Sequence, residues 1–381
     1  MNQTPEASAP ARKINWTGAL FLTLSPIAAI VLTTLHLYLE GFVWQIWLLA
    51  LIFYALTAGS ITGGYHRYFS HRTYEARTWL KWFWALFGGA AWQNSILTWA
   101  TDHRIHHRFV DTDLDPYSIN RGFFWAHFGW MLVTEPPKVN SKPYSRDLAA
   151  DPVVAFQHKH YIALAIAVSF ILPAIIGHFL GSTLGGLAVA GFLRVVLVHH
   201  MTFFINSWCH YFGKQNYTDT NTARDSFLMA VATFGEGYHN FHHIFANDYR
   251  NGVKWYHWDP TKWVIQMFRL VGGAHSLRRT PKSQILKLQL QMQEKNLKNR
   301  MQGSWHASFQ TQLDNLRGKV EAAHARFEHL REEYRSAAAN YAHHKMERVQ
   351  EIKYQMRVAK IEARAALKQW RAFNRFAKAT I

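Results

Sequence analysis

Four long apolar segments constrain the fold of this chain more than any other feature. Residues 16–38, 42–65 and 161–180 contain no Asp, Glu, Lys or Arg, and residues 184–205 contain only Arg194. Each segment is about 20 residues or longer, which is enough to cross the hydrocarbon core of a bilayer as a helix. We therefore predict an all-α, multi-pass integral membrane protein whose four transmembrane helices form two hairpins.

Lys and Arg are distributed unevenly around these segments. The turns at residues 39–41 and 181–183 contain none, whereas the other ends of the segments are flanked by many cations and by the basic tail. Since an excess of Lys and Arg marks the cytoplasmic side, both termini are predicted to be cytoplasmic, in a bacterial inner membrane or an equivalent one. The first segment is long and lacks a small-residue cleavage site, so we expect it to be retained as a membrane helix.

The net charge of +18 raises the question of nucleic-acid binding. In a chain with membrane spans, the positive-inside bias and attraction to anionic lipid headgroups account for this charge better. We predict a membrane-lipid partner and no nucleic-acid partner. The single cysteine, Cys209, excludes an internal disulfide and fits a reducing compartment.

Histidines are concentrated near the predicted cytoplasmic ends of the spans. Neutral imidazole is a common ligand for iron, zinc and copper, and nine imidazoles suit two metal ions better than one. The nine are His66, His71, His103, His106, His107, His210, His239, His242 and His243. Two of the clusters have the spacing HxxHH, which places imidazoles on one face of a helix. Asn206 lies one turn before His210 and is placed to bind a metal through water. A shell nearly free of carboxylates favours dioxygen activation over hydrolysis, although geometry alone leaves zinc open.

Three regions follow from the composition. Residues 1–13 are predicted to be disordered, and residues 14–275 to form the membrane domain with a cytoplasmic helical cap that holds the metal centre. Residues 280–381 are predicted to form a long basic helical tail with a coiled-coil-like seam that includes Leu313, Val320 and Trp370. The seam slips by one residue after Tyr341, and without Gly or Pro nearby a continuous helix is favoured over a hairpin. The tail is a candidate for self-association or for a membrane-surface helix.

Longer runs around the histidines resemble the membrane-bound acyl-CoA delta-9 (stearoyl-CoA type) desaturases. They are GGYHRYFSHRTYEA, WATDHRIHHRFVDTDLDP, RGFFWAHFGWML, INSWCHYFG and GEGYHNFHHIFANDYRNGVKWYHWDPTKW. The likeness covers about residues 14–270. It implies a fatty acyl desaturase that uses dioxygen and two non-haem iron ions to introduce a cis double bond into a saturated acyl-CoA.

The resemblance also implies residue roles. All nine histidines would hold the iron ions, with Asn206 contributing through water. Gln93, Trp99 and Thr202 would line the bend of an acyl tunnel, and Tyr54 would close its far end. Asn94 and Asp102 would contact the acyl carrier.

The chain departs from the animal enzymes where they bind coenzyme A. Thr101 replaces an Arg, and Glu135 stands where those enzymes have a basic cluster, although Lys138 and Lys142 offer compensation. Acyl carrier protein or a lipid-bound acyl chain therefore stays open as the substrate. A fatty acyl or alkane hydroxylase on the same scaffold and a non-enzymatic metal-dependent scaffold are the alternatives. We expect a separate electron donor, which would be a ferredoxin, a rubredoxin or a b-type cytochrome with its reductase.

Six further histidines are expected to be structural or to lie on the surface, with contact to the metals left open for His199 and His200. They are His127, His199, His200, His257, His343 and His344.

Overall fold

A computed structural model describes residues 12–300, 307–339 and 346–380 of the chain. Almost all of the N-terminal segment predicted to be disordered, residues 1–13, lies outside the described residues, as do His343 and His344. The helices are α1 (Trp16–Glu40), α2 (Trp44–Ser70), α3 (Thr78–Gly89), α4 (Ile96–Phe109), α5 (Phe123–His127), α6 (Lys142–Ala149), α7 (Pro152–Lys159), α8 (Tyr161–Phe179), α9 (Thr183–Tyr211), α10 (Phe227–Ala232), α11 (His239–Ile244), α12 (Pro260–Leu270), α13 (Lys282–Arg300), α14 (Ala307–Ala339) and α15 (Met346–Thr380). Short 3₁₀ helices span Ile119–Arg121 and Gly129–Leu132.

Four two-residue strands complete the secondary structure. They are β1 (Lys13–Ile14), β2 (Glu75–Ala76), β3 (Val133–Thr134) and β4 (Ala274–His275). The pairs β1–β3 and β2–β4 are antiparallel. The first joins residues 13–14 to residues 133–134, and the second joins residues 75–76 to residues 274–275.

The predicted apolar helices are confirmed. Among the described residues, α1, α2, α8 and α9 are long and apolar enough to cross a membrane. Helices α1 and α2 are joined at Gly41, and α8 and α9 at Gly181. Both glycines have a positive φ, of 73° and 92°, which lets the backbone reverse where a residue with a Cβ would be strained. Helices α1, α2 and α8 each pack against α9, which is therefore the central helix of the four.

Arg194, the one cation within the apolar segments, is fully buried in α9. Its guanidinium donates to the carbonyl oxygens of Ala90 at 2.6 Å and Ser169 at 3.2 Å. Its Nε also donates to the carbonyl oxygen of Ala190 at 3.0 Å. The Ala90 carbonyl follows the C-terminus of α3, where backbone acceptors lack helical partners and a cation is favourable. Arg194 thus joins α8 and α9 to the loop that follows α3.

The chain divides into two compact units. The first contains the chain up to Lys214 together with Thr220–Arg279, and the second contains Gln215–Asp219 and the chain from Thr280 onward. The main core of the first unit lies where α3, α4, α7 and α12 surround the end of α2. Trp84 of α3 and Tyr65 of α2 are buried at its centre. This core positions the helices that carry most of the histidines.

The second unit corrects the prediction of a continuous tail helix. Helices α14 and α15 pack side by side in opposite directions, since Arg348 bonds to Glu333 at 3.3 Å and Arg326 to Glu362 at 3.2 Å. The one-residue slip in the seam falls between these two helices, and burial of their apolar stripes against each other stabilises the antiparallel pair.

The predicted seam is buried within the chain. Leu313, Val320 and Trp370 form a core with residues of α13, including Leu290 and Leu297. The Trp370 indole donates to the Gln293 side chain at 2.9 Å. The second unit is accordingly a three-helix unit with its own apolar core, and the seam residues are not exposed for contact with a second copy.

Candidate metal centre and substrate cavity

All nine predicted histidines come together at the ends of four helical segments. Residue His66 lies at the end of α2 and His71 just beyond it, and α4 carries His103, His106 and His107. The last turn of α9 carries His210, and α11 carries His239, His242 and His243. The final part of α2, Ile61–Ser70, is π-helical, a form often found at functional sites.

The histidines form two groups. The five-histidine group contains His66, His71, His103, His107 and His242, and the four-histidine group contains His106, His210, His239 and His243. Within each group, one nitrogen from every ring lies within 4.8 Å of the others. Seven of the nine residues are buried, and His107 and His243 are half-buried.

The spacing of the ring nitrogens fits metal coordination. In the five-histidine group, Nε2 of His242 lies 2.9 Å from that of His66 and 3.0 Å from that of His107. In the four-histidine group, Nε2 of His239 lies 3.1 Å from that of His210 and 3.0 Å from that of His243. Two nitrogens that each lie about 2.1 Å from one ion, at tetrahedral or square angles, are separated by about 3.0–3.4 Å.

Carboxylates behind the rings determine which nitrogen faces inward. The Nδ1 of His66 lies 2.8 Å from a Glu236 oxygen, and the Nδ1 of His106 lies 2.9 Å from an Asp115 oxygen. An ionised carboxylate only accepts hydrogen bonds, so each Nδ1 carries the proton and each Nε2 presents a lone pair. The buried Nε2 of His106 has no hydrogen-bond partner among the described residues. This donor set fits a bound cation in each group, and the carboxylates orient the ligands from behind.

Burial keeps the rings in the form that binds metal. The pKa of His103 and the pKa of His242 lie well below their ordinary value, because burial disfavours the charged imidazolium and the neighbouring histidines repel it. Burial raises the pKa of Glu236, but the charge of Arg67 and the hydrogen bonds from His66 and Arg67 outweigh it, so the net pKa is lowered and the carboxylate stays ionised. The site therefore combines neutral imidazoles with anionic groups behind them.

Arg67 extends this network away from the histidines. It is fully buried and bonds to Glu236 at 2.8 Å and to Asp259 at 3.0 Å. Asp259 also accepts from the backbone N–H groups of Asn251 and Gly252, each at 2.9 Å.

Sequence reasoning missed Glu236, Asp115 and Asp259, although all three lie in the runs that carry the family resemblance. Only the folded chain shows which carboxylate reaches which histidine.

A cavity of about 600 Å³ leads to the two groups. Its lining includes His66, His103 and His239 from the two groups. Every residue predicted to contact substrate also lines it, as does Asn206: they are Tyr54, Gln93, Asn94, Trp99, Asp102 and Thr202. Most of the remaining lining is apolar, which suits a hydrocarbon chain.

Three polar residues are linked across the cavity wall. Gln93 donates to the Thr202 hydroxyl at 2.9 Å, and the Trp99 indole donates to Gln93 at 3.3 Å. The Trp99 ring also stacks on His103, with 5.0 Å between ring centroids. Tyr54 lies elsewhere in the lining and donates to the Ala232 carbonyl oxygen at 3.3 Å.

Asp102 is an acidic residue of the same lining. Burial of its side chain raises the pKa of the carboxyl group to about 6.

The two departures from the animal enzymes have structural explanations. Thr101 is buried, and its hydroxyl donates to the Leu97 carbonyl oxygen at 2.6 Å, so it does not face the surface. Glu135 lines the cavity and contacts Arg121 at 2.6 Å, Arg12 at 2.9 Å and Lys138 at 3.5 Å. The hydrogen bond from Arg121 is the main reason that the pKa of Glu135 is lowered. Three cations around one carboxylate leave this cluster positive.

Four of the histidines that were expected to be structural or to lie on the surface have partners within the fold. His199 lies 2.7 Å from the Ala91 carbonyl oxygen, and His200 lies 3.2 Å from His127. The ring of His257 stacks on Tyr238, with 4.8 Å between centroids. Neither metal-binding group includes any of them.

Four helices apolar enough to cross a membrane and two groups of histidines able to hold metal, beside a largely apolar cavity, are the features of a membrane protein with a metal centre. The family model for fatty acid desaturases matches residues 42–271. The chain belongs to the fatty acid desaturase family.

Similar proteins come from fungi and cyanobacteria. The chain is 43% identical to a probable acyl-CoA desaturase of Schizosaccharomyces pombe, over 75% of this chain and 59% of that protein. It is 44% identical to acyl-CoA desaturase 1 of Saccharomyces cerevisiae, over 66% of this chain and 50% of that protein. It is 34% identical to the sn-1 stearoyl-lipid 9-desaturase of Anabaena variabilis, over 73% of this chain and 99% of that protein. The chain thus spans 59% and 50% of the lengths of the two yeast relatives.

Proposed function

We propose that the protein is a fatty acyl desaturase that introduces a cis double bond, at the delta-9 position, into a saturated acyl chain. The observation that supports this most directly is the convergence of nine histidines into two groups beside a largely apolar cavity. The desaturase names of the relatives favour this activity over hydroxylation.

The proposed cofactor is a pair of iron ions held by the two histidine groups, with Asn206 contributing through water. When bound, the iron pair supplies dioxygen activation and hydrogen removal from two adjacent methylene groups. The protein binds the acyl chain, excludes water and places the reacting carbons beside His66, His103 and His239. In this proposal Gln93, Trp99 and Thr202 shape the bend of the chain, Tyr54 limits its length, and Asn94 and Asp102 contact the carrier.

We propose acyl-CoA as the substrate. The positive cluster of Arg12, Arg121 and Lys138 around Glu135 is suited to a polyanionic carrier, because its cations outnumber its carboxylates. The named activity of the Anabaena relative keeps a lipid-bound acyl chain as the competing substrate. Rates with acyl-CoA, acyl carrier protein and lipid-bound chains, measured side by side, distinguish the three.

The proposed topology places both termini and the metal centre in the cytoplasm, with α1–α2 and α8–α9 as membrane hairpins. Its support is the absence of Lys and Arg from the turns at Gly41 and Gly181. In this arrangement residues 14–275 are the catalytic membrane domain, with a helical cap around the metal centre. The two electrons needed per turnover would come from a separate ferredoxin, rubredoxin or b-type cytochrome with its reductase.

The decisive experiment is expression in a host that lacks unsaturated fatty acids, followed by mapping of double bonds in its lipids. We expect a new delta-9 alkene. Hydroxylated chains without an alkene would reject the desaturase proposal.

Histidine variants test the metal centre. His106→Ala removes a member of the four-histidine group and His242→Ala a member of the five-histidine group. Each should abolish turnover and lower the bound metal, while the protein still inserts in the membrane. His178→Ala is the matched control, because His178 bonds only to Thr183 at the opposite end of the spans. Full activity in either test variant would contradict the assignment.

A further inference from the structure

Helix α15 presents an unusual row of cations on its exposed face. All are exposed, and they recur at steps of three and four residues. They are Lys353, Arg357, Lys360, Arg364, Lys368, Arg371 and Arg375, which we name the basic stripe. At 100° per residue they fall within an arc of about 80°, and at 1.5 Å per residue they extend over about 33 Å. The stripe is therefore a straight, continuous line of positive charge.

The cations of the stripe are not neutralised by the protein. Within the described residues, none of them forms an ion pair, and the nearby Glu362 is turned to Arg326 of α14. Helix α14 has the opposite character, because it carries charges of both signs that pair along the helix, as in Arg331 with Glu328 and Arg335 with Glu332. The two helices share one hairpin but present different outer surfaces.

Large apolar side chains lie beside the stripe. Tyr354 is 68% exposed and Ile361 is 66% exposed. Around the helix axis, both side chains lie less than 90° from the edge of the arc that contains the cations. The opposite face of α15 is occupied by the core of the second unit, where Trp370 is buried. A helix face that combines unpaired cations with exposed aromatic and aliphatic groups is characteristic of binding at a lipid interface.

We propose that this face of α15 docks on the anionic headgroup surface of the bilayer that contains α1, α2, α8 and α9. The chain itself supplies the second argument, since the second unit is covalently joined to a membrane-embedded unit and is always close to lipid. Lys and Arg contact the headgroup phosphates, and Tyr354 and Ile361 enter the region between headgroups and acyl chains. Nucleic acid or an acidic protein would use the cations but would leave the apolar groups without a role.

The test uses the full-length protein in nanodiscs of defined lipid composition. Ile361→Cys carries an environment-sensitive fluorophore, and the only native thiol, Cys209, is buried and does not compete for the label. In discs that contain phosphatidylglycerol we expect a blue-shifted emission and quenching by lipids with a nitroxide at the headgroup. Both signals should be lost in discs of phosphatidylcholine alone, and they should weaken as salt screens the cations.

Two charge variants complete the design. Arg357→Glu with Arg364→Glu and Arg371→Glu should abolish the blue shift and the quenching. Lys319→Glu with Arg331→Glu and Arg335→Glu, on α14, makes the same change in net charge without touching a partner on α15 and should retain both signals. A triple Arg→Gln variant of the stripe serves if the charge reversal disturbs the helical content.

Three outcomes would overturn the proposal. One is a label that stays in water in anionic discs. Another is an equal loss of signal in the α14 control, which would show an effect of net charge alone. The third is an unchanged lipid signal in the stripe variant together with loss of binding to an RNA oligonucleotide or an acidic protein.

Discussion

The carboxylates behind the histidines give each group its own anionic support. Glu236 contacts His66 of the five-histidine group, and Asp115 contacts His106 of the four-histidine group. Glu236 has a second task, because Arg67 bonds to its other oxygen at 2.8 Å. A single side chain therefore fixes the tautomer of a candidate ligand and compensates a buried cation.

Glu236→Gln is expected to weaken metal binding without removing a ligand. The amide keeps the shape of the carboxylate but no longer holds the His66 proton or the Arg67 charge. Loss of such a partner typically lowers metal affinity by about 10–100-fold. Metal titration of the purified protein measures the change, and Glu75→Gln, at an exposed residue, is the control. Equal affinities in the two variants would show that Glu236 does not support the site.

At the residue scale, the sequence predicted features set by neighbouring residues in the chain. It did not predict features set by residues that are distant in the chain and meet only in the fold. The spacing of His103, His106 and His107 is enough to predict imidazoles gathered on one helix. The charge state around Glu135 could not be predicted, because two of its three cationic partners are not its neighbours in the chain: Arg121 lies 14 residues away and Arg12 more than 100. The resemblance made Glu135 look unfavourable for a phosphate-bearing carrier, whereas the folded cluster is positive.

At the scale of elements, the approach of α2 to α3 depends on small residues. A Cβ at Gly64 would lie 2.6 Å from the Cβ of Trp84, which is only 1% exposed. Neither atom can move without a shift of its helix. The π-helical segment that contains His66 is thereby held directly against the core.

Gly64→Ala is expected to destabilise the protein and to lower its metal content. The added methyl would force α2 and α3 apart, and overpacking of this kind costs about 1–3 kcal/mol. Gly59→Ala is the matched control in the same helix, since nothing lies within 4 Å of its Cβ position. Thermal unfolding in detergent measures both. A Gly64→Ala protein as stable as the Gly59→Ala protein would mean that the helices tolerate separation.

The helices show what a hydrophobic pattern contains and what it omits. Long apolar segments predicted α1, α2, α8 and α9, because length and apolarity suffice to identify such helices. The antiparallel pairing of α14 and α15 was not predicted, because the pattern of apolar residues is nearly the same for a continuous helix and for a hairpin. The ion pairs between the two helices and the contacts of Ala337 with Val349 and Ile352 distinguish the two arrangements.

At the scale of the whole molecule, the second unit has a core of its own. Leu290 and Leu297 of α13 are each 1% exposed because α14 and α15 cover them. A chain cut after Arg300 would keep α13 but expose these side chains.

Two truncations should therefore behave differently. We expect a chain that ends at Arg279 to stay monodisperse and to retain its metal, because the first unit keeps both histidine groups. A chain that ends at Arg300 should aggregate, since it exposes the apolar face of α13. Size-exclusion chromatography and metal analysis distinguish them. Aggregation of the shorter chain would show that the first unit depends on the second.

Helix α11 supplies residues to both histidine groups, with His242 in one and His239 and His243 in the other. It follows all four apolar helices in the chain. During synthesis, neither group can be complete before the ribosome has passed residue 243, when every span has already been made. Delivery of metal to the finished site is thus a late step of biogenesis, and an arrested chain that ends before α11 would reach the membrane with one histidine missing from the five-histidine group and two from the four-histidine group.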